Sequence, residues 1–164
     1  HTNLDVCPGG VNDVLAETLG LAGVSVLNPI GQDEQGRPYG LLRTGSVREQ
    51  SLAAFAAFVK DALSCPGVRF ADAGKPVHRV AVGGGSCGGA IEEVLAAGCD
   101  TLVTADLKYN HFEEAKYRGL NLVDAGHFET ENPVCAVLER ILREKLPALT
   151  VVRAKAHKDE TQFL

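Results

Sequence analysis

The sequence contains no methionine, no Cys-x-x-Cys pair and no cluster of lysine or arginine residues. Its five cysteines therefore predict reduced thiols rather than a zinc knuckle or a disulfide framework. The formal net charge of −5 argues against a nucleic-acid-binding surface. Apolar stretches stay far below the ~18–20 residues that cross a membrane, and no signal-peptide pattern is present. We therefore expect a cytoplasmic protein with no nucleic-acid or membrane partner.

The composition that remains suits a globular protein with a real core. The chain has 164 residues, of which 45% are hydrophobic and 23% are charged. From Val77 onward, strand and helix patterns alternate, with strands at 79–82, 101–104, 120–123 and 149–152 and helices at 90–97, 112–118 and 134–146. This alternation predicts an α/β fold with a mostly parallel or mixed sheet and crossover helices, in one region covering residues 1–164.

The amino-terminal half predicts a short helix after Gly10, strands at 24–27, 39–44 and 68–71, and one long helix. The long helix is indicated by apolar residues three or four positions apart, at Leu52, Phe55, Val59 and Leu63. Its start is placed at Ser46, because Ser46 and Glu49 have the spacing of a capping box. This helix is expected to pack on the sheet and to have a structural role only.

The segment from Asp124 to Glu131 holds one histidine and three carboxylates in eight residues, directly after an apolar run. Pro133 is typical of the first position of a helix, so His127 and Glu131 are placed in a strand-to-helix loop. Loops that follow the carboxyl ends of strands form the ligand crevice of an open α/β sheet. Taken alone, a histidine and a glutamate four residues apart are more often a solvated loop than a metal site.

Four motifs strengthen the metal-site interpretation. They are His1-Thr2-Asn3-Leu4-Asp5, Pro8-Gly9-Gly10-Val11-Asn12, Thr104-Ala105-Asp106-Leu107-Lys108-Tyr109, and the segment from Asp124 to Glu131. In this order they resemble the GTP cyclohydrolase 1 type 2-like family, also called Nif-three-like. The resemblance implies the Nif-three-like fold and, because His1 already lies within a motif and no methionine precedes it, the carboxyl-terminal portion of a longer, two-lobed protein.

The resemblance also implies a dinuclear metal centre between the two lobes of each subunit, in a ring-shaped homohexamer. Asp5, His127 and Glu131 match metal ligands of the family, with Glu131 as the bridging carboxylate, and His1 matches a cleft residue beside them. Further ligands would come from an upstream His-His pair. The expected cofactors are two divalent ions per complete protomer, of zinc, manganese or iron, which imidazole and carboxylate ligands suit.

Other candidate groups follow the remaining strands. Gly84, Gly85 and Ser86 belong to a glycine-rich loop between a strand and a helix, where backbone amides could bind an anion; a purely conformational role is equally open. Ser86, Asp106 and His127 are expected to approach a shared crevice. Asp106 could also cap the following helix.

Two further side chains are candidates for supporting roles. Asp124 is predicted to orient an imidazole as a neighbour of the metal ligands. Lys108 could neutralise a phosphate, although a lone lysine is more often only solvated.

The function implied by the resemblance is metal-assisted hydrolysis of a nucleotide or a related small molecule, in which two ions lower the pKa of a bridging water. A second hypothesis is a non-enzymatic metal-binding regulator or scaffold that binds another protein. A third is a nucleotide sensor that uses the loop at residues 83–89. The third hypothesis predicts nucleotide binding that does not depend on metal.

Overall fold

A computed structural model describes all 164 residues of the chain. The helices are α1 (Thr2–Val6), α2 (Val11–Thr18), α3 (Leu52–Leu63), α4 (Ile91–Ala96), α5 (Tyr109–Arg118), α6 (His127–Glu131) and α7 (Val134–Lys145). The strands are β1 (Ala22–Leu27), β2 (Gly31–Gln32), β3 (Pro38–Tyr39), β4 (Leu42–Gln50), β5 (Arg69–Ala71), β6 (Val77–Val82), β7 (Thr101–Thr104) and β8 (Asn121–Asp124). A 3₁₀ turn, Gly88–Ala90, precedes α4. None of the helices combines the length and the apolarity that crossing a bilayer requires.

Six of the strands form one mixed sheet in the order β1-β4-β6-β7-β8-β5. The central strands β6, β7 and β8 run parallel, with Val82 beside Val103 and Val103 beside Val123. β4 and β5 flank this parallel centre in antiparallel pairings, and β1 pairs antiparallel with β4. The predicted α/β fold with a mixed sheet is therefore confirmed. The carboxyl ends of β6, β7 and β8 lie at one edge, where the loops that follow them are brought together.

Hydrophobic cores cover both faces of the sheet, because successive strand side chains point to opposite sides. Val80 and Val82 of β6 join Phe55 and Val59 of α3 in the larger core. Ala81, between them in sequence, belongs to the second core, which α4 and α5 cover. All five side chains are fully buried. This layering fixes β6 in place and with it the glycine-rich loop that follows.

The predicted start of the long helix at Ser46 is wrong. Ser46 lies inside β4, opposite Arg79 of β6, and the strand continues to Gln50. The helix begins at Leu52, and the hydroxyl of Ser51 accepts a hydrogen bond from the amide of Ala54 at 3.3 Å, as a helix cap does. A capping-box pattern spans only four residues, and strand pairing with a distant segment outweighs it here.

The predicted strands at 39–44 and 149–152 also need correction. The first is divided between β3 and β4 by Gly40 and Leu41. The second is absent, and Leu149 and Val152 are 57% and 77% exposed. With no neighbouring strand to pair with, this apolar segment follows α7 as irregular chain.

Candidate functional site

His127 and Glu131 lie on the short helix α6, not in the predicted loop. Gly126, at φ +83, turns the chain from β8 into α6. Residues four apart share one face of a helix, and Nε2 of His127 lies 3.1 Å from Oε1 of Glu131. Pro133 immediately precedes α7, which begins at Val134, so the predicted helix at 134–146 starts where it was expected and ends one residue earlier.

Asp106 holds the other nitrogen of the His127 ring. Asp106 follows β7 in a left-handed conformation, at φ +54, and its Oδ2 lies 2.7 Å from Nδ1 of His127. The pKa of His127 is raised, first by this hydrogen bond and further by the charge of Glu131. The convergence of Asp106 and His127 is confirmed. Asp106 does not cap α5, since the residue before that helix is Lys108.

Asp5 comes to the same place from the other end of the chain. The short helix α1 carries it, and its side chain is buried, with 9% of the residue exposed. A cavity of about 460 Å³ is lined by His1, Asp5, His127 and Glu131 together with apolar residues of α1, α2 and α7. The structure thus brings both end motifs of the sequence to one cavity.

Lys158, Asp159 and Glu160 of the carboxyl-terminal tail also line this cavity. The tail is anchored nearby, because the ring of His157 lies 5.0 Å from the ring of Phe128 in α6. The tail carries no recognisable site motif, and its polar composition contains no signal of where it docks. Its place beside the cavity is therefore visible only in the structure.

No group of three or more histidine, cysteine, aspartate or glutamate side chains is arranged closely enough to hold a metal ion directly. Instead, the His127 ring lies between two carboxylates: Nδ1 is hydrogen-bonded to Asp106, and Nε2 lies 3.1 Å from Oε1 of Glu131. The donor chemistry of the cavity nevertheless fits a divalent ion. Imidazole nitrogen and carboxylate oxygen are ligands for zinc, manganese and iron, and Asp5, His127 and Glu131 supply both kinds.

Asp124 does not contact the His127 ring, contrary to its predicted role. Its Oδ2 accepts hydrogen bonds from the amide of Leu107 at 3.1 Å and from the guanidinium of Arg69, and its Oδ1 accepts one from the amide of Gly126 at 3.3 Å. Asp124 therefore fixes the turn that precedes α6, while Asp106 orients the ring.

The glycine-rich loop after β6 has most of its amides already occupied. The amide of Gly84 donates to Oδ1 of Asn12 at 2.6 Å, and the amide of Gly85 donates to Oγ1 of Thr130 at 3.0 Å. The amide of Cys87 donates to Oγ1 of Thr104 at 3.0 Å. These donors face protein acceptors, so the amides of Gly84 and Gly85, two of the three residues of the predicted anion site at Gly84, Gly85 and Ser86, are not free to bind an anion.

The remaining predicted residues lie outside the His127 cavity. Ser86 is exposed and lines a separate cavity of about 390 Å³ together with residues of β1, β4 and α4. Lys108 is exposed at the start of α5 and lines none of the cavities around His127. Ser86 therefore does not join Asp106 and His127 in the crevice.

Comparison with known proteins finds one family along almost the whole chain. The family model Duf34/NIF3 (NGG1p interacting factor 3) matches residues 1–160. A relative from Nostoc sp. is 39% identical over 87% of this chain and 54% of its own length, and one from Streptomyces coelicolor is 41% identical over 82% and 49%. Both are named GTP cyclohydrolase 1 type 2 homolog. The chain thus spans about half the length of the curated relatives it matches.

Solved structures give the same result for the fold. A hypothetical protein from Staphylococcus aureus superposes with a TM-score of 0.88, at 28% identity, over 100% of this chain and 67% of that one. Reduced HcgD from Methanocaldococcus jannaschii superposes with a TM-score of 0.66, at 29% identity, over 89% of this chain and 56% of that one.

Proposed function

Because the chain belongs to the DUF34/NIF3 family, we propose that its Asp5, His127 and Glu131 form part of the dinuclear metal centre of a hydrolase that acts on a nucleotide or a related substrate. The observation that carries the proposal is that Asp5, His127 and Glu131 line one cavity while Asp106 holds the His127 ring. The name shared by the relatives refers to a GTP cyclohydrolase, which supports a nucleotide as the substrate class.

The hydrogen bond between Asp106 and His127 prepares the ring for an ion. When Nδ1 donates its proton to the Asp106 carboxylate, the neutral ring keeps its lone pair on Nε2, the atom that faces Glu131. A carboxylate that orients a metal-bound histidine in this way fixes the tautomer and raises the basicity of the ligand. We assign this role to Asp106, and the roles of ligands to Asp5, His127 and Glu131.

The reaction that suits this set is hydrolysis. Bound divalent ions supply a water of lowered pKa and polarise the substrate. Apolar Val11 and Phe128 border the same cavity and could contact an apolar part of the substrate. Lys158 is the one lysine or arginine along its wall, and its ammonium group suits an anionic part of a substrate such as a phosphate.

The test combines metal binding with turnover. We expect a zinc or manganese titration, followed by plasma mass spectrometry after dialysis, to show bound metal, and nucleotides or phosphoesters to be hydrolysed by the loaded protein. Both properties should be lost in Glu131→Gln, which removes a charge at nearly constant volume. The matched control is Glu92→Gln on the exposed face of α4. Equal metal binding by the two variants would exclude Glu131 as a ligand.

The alternative function is that of a metal-binding regulator or scaffold without turnover. The family description names an interacting factor, which favours this possibility. The two functions differ in a direct assay: a scaffold binds metal and a protein partner but hydrolyses none of the nucleotides or phosphoesters offered. An enzyme loses turnover on Asp5→Ala without unfolding.

A further inference from the structure

Two buried polar side chains connect the segments that carry the proposed ligands. The first is Asn12 on α2, which is fully buried. Its Nδ2 donates to the carbonyl of Asp5 at 3.1 Å and to that of Leu41 at 2.5 Å, while its Oδ1 accepts from the amide of Gly84 at 2.6 Å. Asn12 therefore joins the backbone that carries Asp5 to the glycine-rich loop.

The second is Thr130 on α6, with 1% of the residue exposed. Its Oγ1 accepts from the amide of Gly85 at 3.0 Å. The single proton of the same hydroxyl is shared between the carbonyls of Gly126 and His127, which lie 2.8 and 3.0 Å from Oγ1. Thr130 therefore joins the backbone that carries His127 to the same loop.

The two connections meet at adjacent residues, Gly84 and Gly85, and Gly85 is also in close contact with the site. A Cβ added to Gly85 would lie 2.6 Å from Oε1 of Glu131 and 3.1 Å from Nε2 of His127. The end of β7 also holds the loop, because the hydroxyl of Thr104 donates to the carbonyl of Gly85 at 2.8 Å. The loop is therefore a common support for α1 and α6, the helices that carry the proposed ligands.

We propose that Asn12 and Thr130 are positioning residues that set the spacing between Asp5 and the His127–Glu131 pair. The inference rests on the proposed metal centre, whose ligands lie on α1 and α6. Those short helices have five residues each and cannot hold their own orientation. The hydrogen bonds that end on Gly84 and Gly85 add to the packing and the Arg43 contact that hold these helices, and they link the two helices through one loop.

Thr130 offers the cleaner pair of variants. Thr130→Val keeps the shape of the side chain and removes the hydroxyl, whereas Thr130→Ser keeps the hydroxyl. Removing a group that orients a metal ligand weakens metal binding by about 10–100-fold. We expect Thr130→Val to raise the Kd for zinc by that factor, measured by competition with a chromophoric chelator, and Thr130→Ser to restore it.

A merely structural role predicts a different pattern. Thr130→Val would then lower the melting temperature and leave the zinc Kd unchanged. The control is Val59→Ala, a substitution of a fully buried residue of α3 in the larger core, which is expected to give that pattern. Asn12→Ala, which removes the three bonds on the α2 side, provides an independent variant and should weaken zinc binding in the same direction.

A readout without metal separates this inference from the proposed function. The Nδ1 proton of His127, bonded to Asp106, is expected as a downfield NMR signal in the metal-free protein. It should weaken in Thr130→Val and persist in Thr130→Ser. If the wild-type protein binds no zinc, the proposed function fails. The NMR signal alone then decides whether Thr130 positions the His127 ring. An unchanged signal in Thr130→Val would overturn the positioning role.

Discussion

Gly85 provides the sharpest test of the site, because substitution by alanine has two effects that can be separated. Its backbone is left-handed, at φ +64, so any other residue meets a conformational cost. The added methyl group would also lie 2.6 Å from Oε1 of Glu131 and 3.1 Å from Nε2 of His127. The first effect acts on folding and the second acts on the proposed ligands.

The two effects have different magnitudes. A residue with a Cβ in the left-handed region costs about 1–2 kcal/mol. The contact with Glu131 and His127 adds little to this, because the ends of those half-exposed side chains can move aside. Gly98 is the matched control, since it has φ +73 and a methyl group added there would meet nothing within 4 Å. We expect Gly85→Ala and Gly98→Ala to lose about the same 1–2 kcal/mol in the free energy of unfolding.

The assays are urea denaturation for stability and zinc titration for the site. Gly85→Ala should bind zinc about tenfold or more weakly, since a loss of about 1.4 kcal/mol in ligand placement corresponds to a factor of ten. Gly98→Ala should bind as the wild type does. Equal zinc affinities for the two alanine variants would refute the assignment of His127 and Glu131 as ligands beside this loop.

Three further predictions concern the pKa of His127, the packing of the larger core and the cap of α3. Asp106→Asn should lower the pKa of His127 toward its ordinary value. A titration of the histidine NMR signals in the metal-free protein measures this pKa. Because the folded-state pKa is raised, the stability from His127 is present below the ordinary histidine pKa and is lost as pH rises through the folded value; this dependence should shrink in the variant, and an unchanged pKa would contradict it. Phe55→Ala should cost ~3–5 kcal/mol in urea, against less than half of that for Phe58→Ala, whose side chain is 43% exposed. Ser51→Ala should cost ~1 kcal/mol through the lost cap of α3, and an unchanged midpoint of unfolding would contradict that assignment.

The parallel centre of the fold is predictable from sequence because β7, β8 and the carboxyl-terminal half of β6 are buried on both faces. Such strands appear as short continuous apolar runs, and the predicted strand at 101–104 coincides with β7. The antiparallel half is harder to predict. Ser46 has a local helix-start pattern, yet it pairs with Arg79, which is distant in the sequence. A pattern of four residues contains no information about that partner.

The carboxylate that orients His127 shows the same limit. Asp124 is near His127 in sequence and is the residue that the sequence favours for the role, but Arg69 of β5 and the amide of Leu107 bind it instead. That outcome depends on β5 lying beside β8, which strand patterns do not reveal. Asp106 is more distant in sequence, and it reaches the ring because β7 and β8 are parallel neighbours.

The glycine-rich loop shows why donors alone do not define a ligand site. Glycines between a strand and a helix present the same letters whether their amides face an anion or face acceptors within the protein. Here the acceptors are Asn12 and Thr130, residues from two other parts of the chain. An anion at Gly84 and Gly85 would have to displace two buried hydrogen bonds, one that connects the loop to α2 and one that connects it to α6. The metal-independent nucleotide sensor therefore loses the feature that suggested it, and the loop is better explained as the support of the cavity beside it.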